Sequence, residues 1–155
     1  QGAISKVDYR YEEGLEIAYK LEKKGLDVDG LVAKFQVVQR EIVRRNNAVV
    51  TALDGKMIRM PGYALPLEFD GTAVSEFLLV PYVGACIHVP APPANQTVFV
   101  TLNQSYKANN LYDPVWITGR LKVKTTNKSL SYVDGSAVVE SGYTLEGVKI
   151  EPYKQ

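Results

Sequence analysis

The chain has 155 residues, of which 46% are hydrophobic, 10% aromatic and 23% charged, and its eighteen Lys and Arg against seventeen Asp and Glu leave a net charge of +1. That much apolar content with so little net charge excludes intrinsic disorder and suits an ordinary globular chain with a sizeable core. One cysteine and one histidine exclude an internal disulfide framework, a CxxC site and a multi-histidine metal site within the chain.

The first fifty residues read as helical. Leu15, Ala18 and Leu21, flanked by Ile17 and Glu22, predict a helix over about 8–24, ended by Gly25. Asp29 is the expected N-cap of a second helix, in which Leu31, Phe35, Val38 and Ile42 follow at helical spacing. Lys34, Gln39 and Glu41 lie on its other face, so one stripe is expected to pack and the other to stay wet. Its end is ambiguous: Arg44-Arg45-Asn46-Asn47 reads as a last turn, yet Val49 and Leu53 keep the spacing. Asp54-Gly55 is a turn signal either way.

The period changes near residue 50, and from Lys56 onward it is that of strands. Lys56–Met60 predicts a short strand cut at Pro61-Gly62, which Tyr63–Phe69 resumes. Glu76–Val83 is almost wholly apolar and is expected to be buried. Cys86–Val89, Thr97–Leu102, Val115–Thr125 and Tyr143–Ile150 complete the set. Between Val115 and Lys124 the alternation is clean, with Val115, Ile117, Leu121 and Val123 on one face and Trp116, Thr118, Arg120, Lys122 and Lys124 on the other. The fold class expected is α+β: N-terminal helices over 1–50, and a small OB-like antiparallel β-barrel over 51–155. Val89-Pro90-Ala91-Pro92-Pro93-Ala94-Asn95-Gln96 should run as polyproline II and then turn.

Charge distribution narrows the function. The first fifty residues carry nine basic and eight acidic side chains, well mixed. Between Met60 and Gly119, Lys107 alone opposes Glu68, Asp70, Glu76 and Asp113. This middle segment lacks the basic stripe that nucleic-acid binding needs, so no nucleic acid is expected. Arg120, Lys122, Lys124 and Lys128 form a small basic strand, read as a solvated face. Tyr63, Tyr82, Phe99 and Trp116 on expected strands raise the alternative of an OB-type stacking platform, weakened by the shortage of cations around them.

Cys86 and His88 are one residue apart. On a strand, the period of two would put both on one face, where thiolate and imidazole suit zinc or copper and Glu68 or Asp70 supplies a carboxylate. A buried structural Cys beside a hydrogen-bonded His fits the same residues. A Cys–His nucleophile oriented by Asn95 is the enzymatic version. It is disfavoured because such pairs usually come from different elements. No G-x-S-x-G, P-loop or dinucleotide-binding pattern occurs, and the chain is read as a non-enzyme.

The strings Pro61-Gly62-Tyr63-Ala64-Leu65-Pro66-Leu67-Glu68 and Glu76 to Gln96, with its core Gly84-Ala85-Cys86-Ile87-His88-Val89-Pro90-Ala91-Pro92-Pro93-Ala94-Asn95-Gln96, resemble the DUF3299 family. Pro114-Val115-Trp116-Ile117-Thr118-Gly119 and Gly142-Tyr143 fit its pattern as well. The resemblance covers roughly 49–153. Where the family has four prolines, this chain has Ala91 in place of one, which keeps the loop extended. The N-terminal helices resemble no family on their own. The resemblance implies an uncharacterised group of bacterial exported proteins or lipoproteins, periplasmic, some of them beside ABC-type export or metal-uptake systems.

It implies no catalytic activity, and it draws weight to the loop from Cys86 to Gln96. The candidate metal ligands are therefore Cys86, His88 and Glu68. The candidate binding loop comprises Tyr63, Tyr82, Pro90, Pro92, Pro93, Asn95 and Gln96. No signal peptide is expected at the N-terminus given, as in a processed mature chain, and no stretch approaches the roughly 18 apolar residues of a membrane span. The expected function is a non-enzymatic periplasmic binding or accessory protein that holds a metal ion or an envelope or transport protein at this loop. The alternative is an adaptor that docks by its N-terminal helices, with a purely architectural loop.

Overall fold

The structure is a computed structural model that describes residues 9–67, 73–87, 89–108, 110–132 and 135–153. The chain divides between Arg44 and Arg45 into two compact units.

The first unit carries α1 (Tyr9–Glu22) and most of α2 (Val28–Asn46). Gly25 ends α1 as expected. At φ 80° it lets its own N–H reach Glu22 O (2.8 Å) and that of Leu26 reach Leu21 O (3.2 Å), which satisfies two orphan carbonyls. The N-cap of α2 is Asp27 rather than Asp29: its Oδ1 accepts the Gly30 N–H at 2.9 Å, and Asp29 falls inside the first turn. No side chain of α2 is buried, so the stripe expected to pack stands exposed, with Phe35 at 62%. The spacing is amphipathic, but nothing among the described residues covers it.

The second unit holds β1 (Met57–Pro66), β2 (Ala73–Val80), β3 (Val98–Lys107), β4 (Asp113–Tyr132) and β5 (Gly135–Pro152). The strand order is β1-β2-β3-β5-β4, and β4 pairs back onto β1 so that the sheet closes. The pairing is not wholly antiparallel, because β3 and β5 run parallel over Val98–Leu102 and Tyr143–Gly147. Pro61-Gly62 does not cut β1. Both residues stay in register with Trp116 and Val115, in the half of the strand that pairs with β4 alone. A residue without an N–H is tolerated where one side of the strand is unpaired.

Two apolar clusters explain the strand sequences. Phe77, Leu79, Val98, Val100, Val115, Ile117, Leu121 and Leu145 meet inside the closed sheet, with Val49 and Leu53 packed against them. Leu65, Leu78, Val80 and Phe99 point the other way and meet Ala85, Tyr112, Leu130 and Val139. Phe77-Leu78-Leu79-Val80 is apolar throughout because alternate side chains enter different cores. The second core exists because β4 and β5 continue, past the expected ends at Thr125 and Tyr143, into a hairpin paired from Thr126↔Ser141 to Tyr132↔Gly135. Its Ser- and Thr-rich sequence hides two anchors, Leu130 and Val139, at 0% and 2% exposure. Within β4 the predicted alternation holds: Val115, Ile117 and Leu121 are buried, while Arg120, Lys122 and Lys124 are exposed.

Candidate functional site: the loop between β2 and β3

The chain leaves β2 at Val80 and turns sharply. Gly84 adopts φ 86° and Cys86 φ 70°, and the N–H groups of Ile87 and Val89 both reach back to Gly84 O, at 3.3 and 3.2 Å. Cys86 and Ile87 thus stand in a tight turn beside the Ala85↔Val89 bridge, not in the strand expected. The same-face argument for Cys86 and His88 loses its premise, since period-two alternation requires extended backbone. His88 and Glu68, and with them Asp70, lie outside the described residues. Among the described residues no three His, Cys, Asp or Glu side chains gather as a metal site.

The base of the turn is locked into the second core. Ala85 is fully buried, and its carbonyl accepts the Tyr112 hydroxyl at 2.5 Å. Tyr112 itself sits at φ 64°, with its N–H on Ala64 O. Burial pushes the Cys86 thiol up to about 11. Burial, then the neighbouring Cys86, pushes the Tyr112 phenol up to about 12. Both groups keep their protons at neutral pH, which suits packing against the second core.

The second half of the loop is a joint. Pro93, at φ −52° and ψ 149°, ends the extended run, and a single 3-10 turn over Ala94–Gln96 follows. Asn95 Nδ2 donates to Arg45 O at 2.7 Å and to Ala48 O at 3.0 Å, so this amide closes the last turn of α2. Its Oδ1 is buried and accepts no hydrogen bond among the described residues. The segment after α2 is held again where Tyr143 Oη accepts the Val50 N–H at 2.8 Å. Gly142 makes room beside it, because a Cβ there would crowd Ala94 O and Val49 Cγ1 at 3.0 Å. Pro92 and Ala94 are buried with the joint, and Gln96 is exposed.

What the loop leaves outward is an apolar rim. Pro81, Tyr82, Val83, Val89, Pro90 and Ala91 are all exposed, Val83 at 61%. Pro81 also lines a groove of about 390 Å³ with Pro61, Gly62, Tyr63, Pro114 and Tyr153. At its edge Trp116 stacks on Tyr153, centroids 5.5 Å apart, and the Arg59 guanidinium lies 4.1 Å over the Trp116 ring. The structure therefore brings Tyr63 together with the loop that carries Tyr82. It places Pro92, Pro93 and Asn95 in the joint instead. Tyr153 and Arg59 were missed as site residues, because nothing in strand periodicity marks a residue that meets its partners only across β1 and β4.

Phe99 is no stacking platform: it is buried, with Lys128 Nζ 4.1 Å over its ring. The basic strand is likewise engaged. Arg120 donates to Gly55 O, Lys122 pairs with Glu146, and Lys128 lies 3.5 Å from Glu76.

A model of the DUF3299 family, described as a protein of unknown function, matches residues 12–152, which includes both helices as well as the strands. A crystal structure of a DUF3299 family protein from Pseudomonas aeruginosa PAO1 is similar at 42% identity and a TM-score of 0.57, over 70% of this chain and 68% of that one. No curated protein matches. A family match that starts in α1 and runs to the end of β5 carries more than the loop signature alone, and the chain belongs to the DUF3299 family.

Proposed function

We propose that this is a non-enzymatic accessory protein of the bacterial envelope, built on an OB-like barrel, which binds a partner protein at the apolar rim of its β2–β3 loop. One observation carries the reading: six exposed, mostly apolar residues stand on a turn whose base is fixed by buried contacts. Rigidly presented apolar side chains on a loop are what recognition uses, because little entropy is lost on binding. The groove between Tyr63 and Tyr153 continues the rim through Pro81 and offers aromatic surface to the same partner.

The OB-like assignment rests on five strands with β5 inserted between β3 and β4 and parallel to β3, although only a short turn joins β3 to β4. The non-enzymatic part rests on Cys86, whose raised pKa is opposite to what a nucleophile needs. The paired cations argue against a phosphate grip. Placement in the envelope rests on what the resemblance implies.

The test is site-specific photo-crosslinking of the whole chain in its bacterial host, with the probe at Val83 and, as control, at the equally exposed Val148. One discrete adduct at position 83 that disappears with Tyr82→Ser supports the proposal. Identical adducts at both positions sink it. Stoichiometric zinc or copper in untagged protein would transfer the site to a metal instead.

A further inference from the structure

The exposed stripe of α2 repeats on a heptad, and Val32 and Val43 widen its edge at 48% and 56% exposure. Val28, Leu31, Phe35, Val38 and Ile42 follow at intervals of three, four, three and four. That is the a/d seam of a heptad, with Val28, Phe35 and Ile42 at a and Leu31 and Val38 at d. Leu31, Phe35, Val38 and Ile42 are between 43% and 62% exposed.

Charge decides which helix and which direction. The flanking g positions are Lys34 and Glu41, and the e positions are Val32 and Gln39. In a parallel pair of α2 helices, g meets e of the partner, so Lys34 meets Gln39 and no opposite charges oppose each other. In an antiparallel pair, a faces d: Phe35 lies against Val38 and Leu31 against Ile42 of the other copy. There g meets g, and Lys34 falls opposite Glu41 twice by symmetry. Glu41 already holds Arg44 at 2.7 and 2.8 Å, yet a carboxylate has acceptor capacity for a lysine as well.

We propose that the chain self-associates as a two-fold dimer through α2, as an antiparallel helix pair in which Lys34 of each copy meets Glu41 of the other. The interface is isologous, as two-fold closure requires. A 19-residue helix is only about 28 Å long, so the interface is small and the dimer weak, with dissociation on the order of 10 µM. The inference concerns α2 alone and stands whatever occupies the β2–β3 loop.

Sedimentation of the whole chain between about 1 and 200 µM tests it, since association this weak is visible only by mass action. The expected result is a monomer–dimer equilibrium that Phe35→Asp abolishes, while Trp116 fluorescence and the unfolding of the barrel stay unchanged. Lys34→Glu and Glu41→Lys should each weaken association by about tenfold, because two attractive contacts become repulsive. The double exchange should restore it, with helix content followed by circular dichroism. A chain that stays monomeric at the highest concentration overturns the proposal. So does a dimer indifferent to Phe35→Asp. Single charge reversals without effect overturn the antiparallel register. Binding of the monomer to vesicles of mixed neutral and anionic phospholipid, lost with Phe35→Asp and without self-association, would assign the seam to a membrane surface and overturn it too.

Discussion

Cys86 holds two properties at once: a left-handed backbone at φ 70° and a half-buried sulfur in the second core. The first is uncommon for a residue with a side chain and persists because the turn around it is over-determined by Ala85, Gly84 and Tyr112. The second raises the thiol from 9.0 to about 11, which cuts the thiolate fraction at pH 8 by roughly 100-fold. Iodoacetamide should therefore label native Cys86 about 100-fold more slowly than the unfolded chain, and equal rates would contradict the burial. The same shift makes stability pH-dependent. Below pH 9 the thiol is protonated whether folded or not. As pH climbs from about 9 to about 11 only the unfolded chain sheds the proton, so stability falls across that window. Cys86→Ala should reduce this alkaline loss in denaturant titrations, leaving the parts that Tyr112 and Tyr106, both raised by burial, contribute in the same direction. Tyr112→Phe strands the buried Ala85 carbonyl and should cost about 1–3 kcal/mol in equilibrium unfolding.

Two elements are held by residues far away in sequence, and each can be loosened separately. Asn95 closes the end of α2 from 50 residues away at Arg45, and its Nδ2 also holds Ala48 just beyond the helix. Asn95→Ala should destabilise the chain by about 1–2 kcal/mol and speed amide exchange around 45–50, with little change in the barrel. The β4–β5 hairpin is tied down by Leu130 and Val139, which pack with Ala85 and, at the cluster's edge, Cys86. Leu130→Ala should cost about 2–5 kcal/mol and accelerate native Cys86 alkylation, because the hairpin covers the turn that shields the thiol. Faster alkylation without lost stability would mean that the hairpin moves independently of the core. Loop, hairpin and Tyr112 share one apolar cluster.

At the scale of the whole molecule, protection should be uneven. Strands buried on both faces supply the slowest amides, whereas α1, 14 residues long and mostly exposed, has little tertiary packing to hold it. Hydrogen exchange read by mass spectrometry should show α1 exchanging fast at every concentration. Residues 31–42 should slow as concentration rises, and Phe77–Val80 should be slowest throughout. The sequence by itself determined what depends on neighbours in the chain: the change of period near residue 50, both helices, the Gly25 stop and the alternation in β4. It also carried the family resemblance, in the loop string. Tertiary structure decided whatever depends on partners far apart. It put Cys86 and Ile87 into a turn rather than a strand, where Tyr112 and the second core hold Ala85. It kept β1 continuous through Pro61 because β4 alone pairs there. It moved Asn95 from a candidate site to a helix cap, and it assembled the groove from β1, β4 and the end of β5. Local periodicity records which face of an element is apolar, but not which distant element arrives to cover it.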